Sequence, residues 1–489
     1  MNPTESTAKS TSPLEDTNQQ RLPMGSCPFA ISDPVQQAQV EEILKPLILT
    51  QDVIDRVRDV FEDEMKLGLA KNPPKLSSLQ MENTFLPELP NGTESGEYLA
   101  LDLGGTNFRV ILMELKEGTI QREEVKYYKV PEEVRLGPGE QLFDFLADCI
   151  KDFLEKKHYT GEKLTLGFCF SFPMHQKALN VGILVHWTKS FNCPGVVGKD
   201  AVKMLNDAIH RRCGHAIDVV AVLNDTTGTI VKGAYVDHET AIGLILGTGS
   251  NACYLERVSR IEKWEGQHDA EEVVIDIEFG AFGDNGVLDF MKTDFDREIN
   301  RNSLLVGSFT YEKYFAGKYL GEIARLILVK LVDEELLFKG KCTEKLRTVG
   351  SFTSQYVSHI EKDSMELSTE ETEKILGEFG LSYTQDDLKI IKYVCAVISE
   401  RAANLVSICL AHLLCRMDKP HCTIAVDGSL FEEHPRLRTL MEAKISAWAP
   451  GKQFKFLMVE DGSGKGAALI AAIATRLRAH SKAIISGEC

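Results

Sequence analysis

Apolar residues recur along this chain with two different spacings. Residues 35–71 and 139–157 carry them at the spacing of amphipathic helices, with a turn at 49–51. Helical spacing dominates again after residue 295, up to the last strands and an Ala-rich terminal helix. Short runs typical of strands lie between and after these segments: EYLALDL, FRVILMEL, REEVKYYKV, KLTLGFCFSF, AIDVVAVLND, TAIGLIL, NACYLERV, CTIAVDGS and FKFLMVE. Strands that alternate with helices predict an α/β fold.

Two pairs of these runs enclose glycines in the same way. YLALDLGGTNFRVILMEL and AIGLILGTGSNACYLERV each consist of an apolar run, a glycine-rich turn, a polar residue and a second apolar run. Two such hairpins, separated by βα units, are what a duplicated core with one hairpin per lobe would give. So short a pattern also recurs by chance.

Composition and charge narrow the class of protein. The chain has 489 residues, 43% of them hydrophobic, so we expect two or three domains with large cores. A formal net charge of -17 argues against nucleic acid and anionic membranes as partners. The 12 cysteines form no C-x-x-C pair, which disfavours a zinc framework and suits free thiols in a reducing compartment.

The N-terminus is polar and lacks the features of an export signal. No apolar run approaches the roughly 20 residues of a membrane span. We therefore expect a cytoplasmic protein with a disordered tail over residues 1–33 and no transmembrane segment.

The first glycine turn suggests a phosphate site. Gly104 and Gly105 permit positive φ, and the N–H groups that follow them can converge on phosphate oxygens. Asp102, just before the turn, would repel phosphates unless a cation lies between them, and Mg²⁺ is the cation that keeps its waters and takes few carboxylates. The alternative is an ordinary hairpin turn.

A second candidate for a phosphate loop is the segment EDGSGKGAAL. It fails as a P-loop, because Val459 stands where a glycine is required and Gly466 where Ser or Thr is required. We expect it to form a tight turn that packs the terminal helix.

Other polar motifs are individually weak. Asn224 and Asp225 follow a buried strand, where they are either helix caps or, at the ligand edge of a sheet, a catalytic base. Lys189, in WTKSFN, is a surface lysine or a ligand. Ser171 lacks a nucleophile elbow, so a hydrolase is unsupported. Together with Glu278 these residues suit a ligand rich in hydroxyl groups.

As a set, the motifs resemble those of the eukaryotic hexokinases, of the single-unit hexokinase or glucokinase type. LDLGGTNFRV, LGFCFSFP, WTKSF, LNDTTGT, GTGSNACY, EFGAFGDNG, YLGEIARLILVKL and VDGSLFEEHP occur once each and in the order of that family, across residues 40–478. The resemblance implies a two-lobed actin-like ATPase fold of ribonuclease H-like type, with mixed sheets flanked by helices and a sugar and ATP cleft between the lobes. It divides the chain into N-terminal helices of the large lobe (34–82), a small lobe (83–223), the large lobe (224–462) and a helix that returns to the small lobe (463–489).

The activity that the resemblance implies is ATP-dependent phosphorylation of the 6-hydroxyl of a hexose, most simply glucose, by a monomeric enzyme at the first step of glycolysis. Its catalytic residues would be the base Asp225 and Lys189. The implied sugar contacts are Ser171, Phe172, Thr188, Lys189, Asn224, Asp225, Asn251, Glu278 and Glu312. The implied contacts of ATP and Mg²⁺ are Asp102 (to the metal, through water), Leu103, Gly104, Gly105, Thr106, Asn107, Arg109, Thr248, Gly317, Lys318, Ser354, Ser358, Gly428, Ser429, Leu430, Phe431, Glu432 and Glu433.

Three positions depart from the family pattern. Ser190 replaces a glycine, at a cost of about 1 kcal/mol if the position needs positive φ. Phe309 replaces a glutamine, which removes a hydrogen bond of about 0.5–1.5 kcal/mol and predicts two- to twelve-fold weaker sugar affinity unless Ser308 substitutes. Phe279 replaces a tryptophan, a milder change. We expect an active kinase with altered sugar affinity; the alternatives are a non-catalytic sugar sensor and an ATPase of the same fold without a sugar substrate.

Overall fold

The computed structural model describes residues 30–105, 107–159, 161, 163–266 and 270–486. Thr106 and residues 1–29 of the predicted tail lie outside the described residues. The strands in the described part are β1 (Glu82–Asn83), β2 (Gly96–Leu103), β3 (Asn107–Lys116), β4 (Thr119–Lys129), β5 (Leu164–Phe170), β6 (Met174–Ala178), β7 (Val181–Leu184), β8 (Ile217–Leu223), β9 (Thr240–Leu246), β10 (Ser250–Arg257), β11 (Glu272–Asp276), β12 (His421–Asp427) and β13 (Gln453–Met458).

The helices both flank the sheets and build most of the second half of the chain. They are α1 (Pro34–Leu44), α2 (Gln51–Leu69), α3 (Glu132–Leu136), α4 (Gly139–Lys156), α5 (Ala201–Arg212), α6 (Asp225–Val236), α7 (Asp294–Asn302), α8 (Gly317–Asp333), α9 (Glu344–Arg347), α10 (Ser354–Met365), α11 (Glu370–Glu378), α12 (Gln385–Arg416), α13 (Ser429–Glu433), α14 (Leu437–Trp448) and α15 (Gly462–Ser486).

The first sheet has five strands in the order β4-β3-β2-β5-β8. Strands β2, β3 and β4 form an antiparallel meander, and β5 and β8 continue the sheet in parallel. Leu99 and Leu101 of β2 pack with α4 and α5, whereas Ala100 between them packs with α15. This alternation is the period of two that a strand between two helical layers requires.

The second sheet has the order β1-β11-β10-β9-β12-β13. Its strands β9, β10 and β11 form an antiparallel meander, and β12 and β13 continue it in parallel. Apart from β1, this is the plan of the first sheet. The similarity between the two glycine hairpins in the sequence therefore extends to the two whole sheets. A separate two-stranded ribbon, β6 with β7, leads from the first sheet toward the cleft.

Helices α6 and α15 cross between the two sheets. Helix α6 packs on the second sheet and α15 on the first, and both contribute to one buried cluster with residues of both sheets. At the crossing, a Cβ on Gly466 would stand 2.4 Å from the carbonyl oxygen of Gly228. The two helix backbones are therefore in direct contact at these glycines, and this contact joins the lobes.

Helix α12 forms the centre of the core beneath the second sheet. Among the described residues it is the one helix long and apolar enough to cross a membrane, but 89% of its most apolar window is buried inside the protein. A helix that is apolar on all sides is expected in the core of a large domain. Its N-terminus carries a capping box formed by Thr384 and Asp387.

Candidate functional site

Asp225 lies where the two sheets meet, at the start of the crossing helix α6. The strand β8 ends at Leu223, Asn224 caps α6 through a hydrogen bond from Thr227 N to its Oδ1 (2.8 Å), and Asp225 is the first helical residue. Asp225 Oδ1 accepts a hydrogen bond from Thr226 N at 2.9 Å. Capping and catalysis, alternatives from the sequence, are compatible here, because the cap fixes the helix end that carries the carboxylate.

Lys189 faces this carboxylate from the first lobe. Its Nζ lies 3.8 Å from Asp225 Oδ2, and both side chains are accessible from the cleft. The loop that carries Lys189 is held by an aromatic cluster in which the Phe172 ring packs against Trp187 and Phe191, with centroids 4.9 and 5.1 Å apart. Thr188 lies in the same loop and its carbonyl accepts a bond from Phe191 N.

On the second-lobe side, three predicted sugar ligands surround a carboxylate that the sequence interpretation missed. Asp276, at the end of β11, accepts hydrogen bonds from Asn224 Nδ2 and, at 2.9 Å, from Asn251 Nδ2. It also hydrogen-bonds with the carboxyl group of Glu278. Burial raises the pKa of Asp276 to about 7, and burial together with the charges of Asp276 and Asp225 raises the pKa of Glu278 well above its usual range.

Glu312 completes this acidic wall. Its Oε2 accepts a hydrogen bond from Ser250 N at 3.1 Å, which ties it to the start of β10. Burial raises its pKa. A pocket wall of amides and acids suits a neutral ligand with many hydroxyl groups, because each hydroxyl can both donate and accept.

Four non-glycine residues of the cleft adopt positive φ. They are Lys189 (52°), Ser190 (66°), Glu278 (54°) and Phe309 (54°). Such residues cost of the order of 1–3 kcal/mol each and cluster at functional sites. Position 190 therefore does use the backbone conformation that favours glycine. The serine gains contacts in return, because Arg135 donates to its carbonyl oxygen at 3.1 Å and to its Oγ at 2.8 Å.

Phe309 is held in its strained conformation by Asp284. The Asp284 carboxylate accepts bonds from Phe309 N and Thr310 N, both at 2.8 Å. The Phe309 ring lies beside Gly280, close to the Glu312 carboxylate, and its centroid is 6.2 Å from that of His186 on the first lobe. Phe309 thus makes an aromatic contact between the lobes at the position where the family pattern has a glutamine.

On the phosphate side, the first hairpin is tied to the start of α15. Arg109 donates to Asp102 Oδ2 and, at 2.9 Å, to Ser463 Oγ, and its Nη1 lies 2.5 Å from Asp461 Oδ1. Burial opposes the charge on Arg109, but Asp102 and Asp461 outweigh it and raise its pKa. The segment EDGSGKG thus begins helix α15 at Gly462, and its Asp461 and Ser463 contact the arginine that orients Asp102 before the first hairpin turn.

Ser171 connects the sugar side with this turn. It is buried, its N–H donates to Leu103 O at 3.2 Å, and a side chain on Gly104 would meet Ser171 Oγ at 3.5 Å. Gly105 has open space in front of it, as a turn that receives a ligand requires. Asn107 begins β3 and is exposed.

The second hairpin turn packs on the start of α8. Gly317 N donates to Gly247 O at 2.8 Å, and Lys318 N donates to Thr248 O at 3.0 Å. Gly428, with φ of 133°, lies against Gly247. The N–H groups of Gly317 and Lys318 therefore position the turn and are already bonded to it.

The other predicted nucleotide contacts divide into exposed and buried residues. Ser354 Oγ donates to Gly317 O and accepts from Gly321 N, so it braces α8. Ser358 donates within its own helix, and Leu430 and Phe431 are buried. Ser429, Glu432 and Glu433 are exposed at the edge of the second sheet. The side chains of Leu430 and Phe431 thus contribute to packing, so only their backbone is left to contact a ligand.

The described part of the protein offers few ligands to Mg²⁺. Within the described residues no group of three His, Cys, Asp or Glu side chains is placed to hold a metal ion. The Asp102 carboxylate is the nearest acid to the first turn, and the contacts from Arg109 and Ser463 converge on its Oδ2. Since Mg²⁺ keeps several waters and binds with substrate phosphates, one such carboxylate suits a contact through water.

The residues that the sequence interpretation missed are Asp276, Arg135, His186, Asp461 and Ser463. Each contacts a predicted site residue, or one of the departing positions 190 and 309, from a segment that is not adjacent to it in the sequence or from the opposite lobe. Only Asp276 carried a usable signal, because VVID ends a strand with an acid two positions before Glu278.

Comparison with known proteins agrees with this geometry. Two family models, both described as Hexokinase, match residues 39–235 and 241–473. Hexokinase-1 of Homo sapiens is 42% identical over 454 residues, which are 91% of this chain and 49% of that protein. Hexokinase-2 of Rattus norvegicus is 41% identical over 468 residues, 94% of this chain and 51% of that protein. The chain thus spans about half the length of the curated relatives it matches.

A solved structure of similar length has the same fold. The hexokinase from Schistosoma mansoni complexed with glucose gives a TM-score of 0.81 at 38% identity, over 90% of this chain and 99% of that chain. These matches confirm the resemblance drawn from the motifs and the two-lobed α/β fold that it implied. The chain belongs to the hexokinase family.

Proposed function

We propose that this chain transfers the terminal phosphoryl group of ATP to the 6-hydroxyl of a hexose, glucose first, at the first step of glycolysis. The observation that supports this most strongly is the position of Asp225. Its negative charge helps to raise the pKa values of Asp276 and Glu278 on one side and of Asp427, at the end of β12, on the other. A base at this point lies between a pocket suited to sugar hydroxyls and two glycine hairpins suited to phosphates.

Each side chain then has a role in positioning. Asp225 Oδ1 is held by Thr226 N, so Oδ2 is the oxygen placed to accept the proton of the attacking hydroxyl. Lys189, 3.8 Å from that oxygen, is placed to stabilise negative charge on the transferring group. Phosphoryl transfer asks for alignment and charge stabilisation more than covalent chemistry, which fits a site without a nucleophile.

The nucleotide side would be formed by the hairpin turns at 104–106 and 247–249, with Asp102 as the water-mediated contact to Mg²⁺ and the residues predicted at α8, α10 and α13 around the base and ribose. Mg²⁺ bound with ATP supplies charge neutralisation on the phosphates. The protein contributes Arg109, which fixes the orientation of Asp102. Closure of the two lobes about the crossing helices would exclude water from the phosphoryl group.

We also propose that the lobes comprise residues 83–223 and 224–462, with 34–82 added to the large lobe and 463–489 returning to the small one. The two sheets and their flanking helices support this division. We propose that the chain acts as a monomer, because the paired hairpins and the acidic wall that form the site all come from one chain. We also propose a location in the cytoplasm.

The experiment is a product assay on the purified chain with Mg-ATP and a panel of glucose, fructose and mannose. We expect sugar-dependent formation of ADP and a hexose 6-phosphate, identified by chromatography and mass. ATP hydrolysis that does not depend on sugar would indicate an ATPase of this fold. Tight sugar binding by calorimetry without product would indicate a sensor.

A further inference from the structure

The side chains of the proposed sugar pocket are arranged around one carboxylate. Asn224 comes from the start of α6, Asn251 from β10, and Glu278 from the loop after β11, so no single element sets their relative positions. Both amides donate to Asp276, one to each of its oxygens. The Glu278 carboxyl group hydrogen-bonds to the same residue.

The remaining bonds of the two amides show what Asp276 determines. Asn224 Oδ1 accepts from Thr227 N at 2.8 Å, and Asn251 Oδ1 accepts from Ala252 N at 2.7 Å. In each amide a backbone N–H fixes the oxygen and Asp276 fixes one hydrogen of Nδ2, so the amide has a single orientation. The second hydrogen of each Nδ2 is then left for a ligand. An amide without the second constraint rotates or flips at little cost.

Asp276 is itself held in place. It is 6% exposed, and β11 pairs with β1 so that Glu82 stands directly opposite it. A cavity of about 10 Å³, which is room for about one water molecule, adjoins the cluster, and Glu82, Gln176, Asn224, Asp276 and Glu278 are among the residues that line it. The carboxylate therefore exchanges little with bulk water.

We propose that Asp276 is a positioning residue that orients Asn224, Asn251 and Glu278 toward the hexose, and that sugar capture requires its ionised form. The inference rests on the proposed function. An ionised carboxylate accepts both amide bonds and the Glu278 proton. A protonated one presents an O–H where an amide N–H already points, so one of the two amides loses its acceptor.

The charged groups around Asp276 set the pH at which this occurs. Asp225 faces it from α6, Glu278 from the following loop and Glu82 from β1, and all three carry or can carry negative charge. The Cys253 thiol on β10 is kept neutral because burial raises its pKa. His175 on β6 lies 2.8 Å from Glu82, so its protonation offsets part of the Glu82 charge. Burial and the neighbouring acids raise the pKa of Asp276 to about 7, which places the transition near neutral pH.

The test is the pH dependence of kcat/KM for glucose, which reports groups of the free enzyme. In the wild-type protein we expect kcat/KM to fall on the acid side with a midpoint near pH 7. Asp276→Asn cannot titrate and presents an NH₂ donor where the protonated acid presents its O–H, so this variant should lose the transition near pH 7 and keep the low acid-side kcat/KM across the pH range. Glu82→Gln should move the midpoint down, since it removes one repelling charge but leaves Asp276.

Asp276→Ala tests the positioning itself. Without Asp276 the two amides lose the acceptor that orients them, so we expect KM for glucose to rise about five- to 150-fold, equivalent to about 1–3 kcal/mol for the pair together, with a smaller change in kcat. His210→Gln is the matched control, because His210 is an exposed histidine on α5 outside the proposed site, and its variant should keep the wild-type midpoint. Thermal melts of all variants show whether each is folded.

The outcomes distinguish a failure of the proposed function from a failure of the role of Asp276. No hexose phosphate from the wild-type protein overturns the proposed function. An active wild-type protein whose acid midpoint is the same in Asp276→Asn, or whose KM changes less than about twofold in Asp276→Ala, overturns the role of Asp276 alone.

Discussion

The residues of the cleft show where this chain places backbone strain. Lys189 and Ser190 follow one another in the left-handed region, and Glu278 and Phe309 adopt it on the opposite wall. Each is held by neighbours: Arg135 bonds Ser190, and Asp284 bonds the backbone of Phe309. Serine at position 190 therefore destabilises the folded protein less than its positive φ alone suggests. Its Oγ accepts a hydrogen bond from Arg135, and a glycine has no such acceptor.

Phe309 gives the first prediction. Its ring occupies the place beside Glu312 where an amide could bond a sugar hydroxyl, so Phe309→Gln should lower KM for glucose by about two- to twelve-fold, the value of one hydrogen bond. Steady-state kinetics over the hexose panel measures this. A wild-type protein that already binds glucose tightly, with affinity unchanged in Phe309→Gln, would contradict it.

Much of the site at this scale was predictable, and the exceptions have a physical reason. Asn224 and Asp225 were named from the motif LNDTTGT at the end of a buried strand, and Glu312 from the family resemblance. The contacts of Asp276 with Asn251, of Arg109 with Ser463 and of His186 with Phe309 join segments from 25 to 354 residues apart, and nothing local records them. A motif gives the residue; only the fold gives its partner.

At the scale of elements, two hairpins and two crossing helices define the cleft. The hairpins β2–β3 and β9–β10 were evident in the sequence, since each encloses glycines between apolar runs. The ribbon β6–β7 and helix α14 were not, because half-buried ribbons and short helices have weak periodicity. The crossing of α6 and α15 was also hidden, since the glycines that permit it, Gly228 and Gly466, lie far apart in the chain.

This crossing gives the second prediction. A Cβ on Gly466 would stand 2.4 Å from Gly228 O and 2.5 Å from Gly228 Cα, so Gly466→Ala must separate the two helix backbones. We expect a loss of about 1–3 kcal/mol in the free energy of unfolding, measured as a lower urea midpoint.

Gly377→Ala in α11 is the matched control for this substitution. No atom lies within 4 Å of the added Cβ there, and alanine is the better helix former, so stability should stay equal or rise by up to about 1 kcal/mol. Equal midpoints for the two variants would show that the helix contact does not limit stability.

At the scale of the whole molecule, both lobes repeat one sheet plan around a shared pair of helices. The large lobe adds a helical core around α12, and groups that titrate lie inside that core. His434 is 2% exposed: its Nε2 lies 2.9 Å from Ser399 Oγ, and its Nδ1 accepts from Leu437 N at 3.1 Å. Burial lowers its pKa to about 4.

The third prediction follows from the sign of this shift. The unfolded chain binds a proton at His434 below about pH 6.5, and the folded protein does not until about pH 4, so stability is lost as pH falls through this interval. Replacement by Asn, whose amide oxygen can take the place of Nδ1, should remove about 2 kcal/mol of that loss between pH 7 and pH 5.

Urea unfolding of both proteins at several pH values measures the difference in slope. Buried acids with raised pKa values, such as Asp276 and Glu361, change stability in the opposite direction. They are present in both proteins and cancel in the comparison. Parallel profiles for wild type and His434→Asn would mean that the pKa of His434 is the same in the folded and the unfolded protein, which contradicts the prediction.

The central claim is that Asp225 is the base of a phosphoryl transfer to a hexose. Its most direct test is a single-turnover measurement of hexose 6-phosphate formation by the wild-type protein, Asp225→Asn and Asp207→Asn. Asp207 is the control because it is a surface aspartate, 2.6 Å from Lys203 on α5. We predict that Asp225→Asn slows transfer by about 10²–10⁴-fold at saturating sugar and ATP, and that Asp207→Asn leaves it unchanged. Transfer at the wild-type rate in Asp225→Asn would contradict the account.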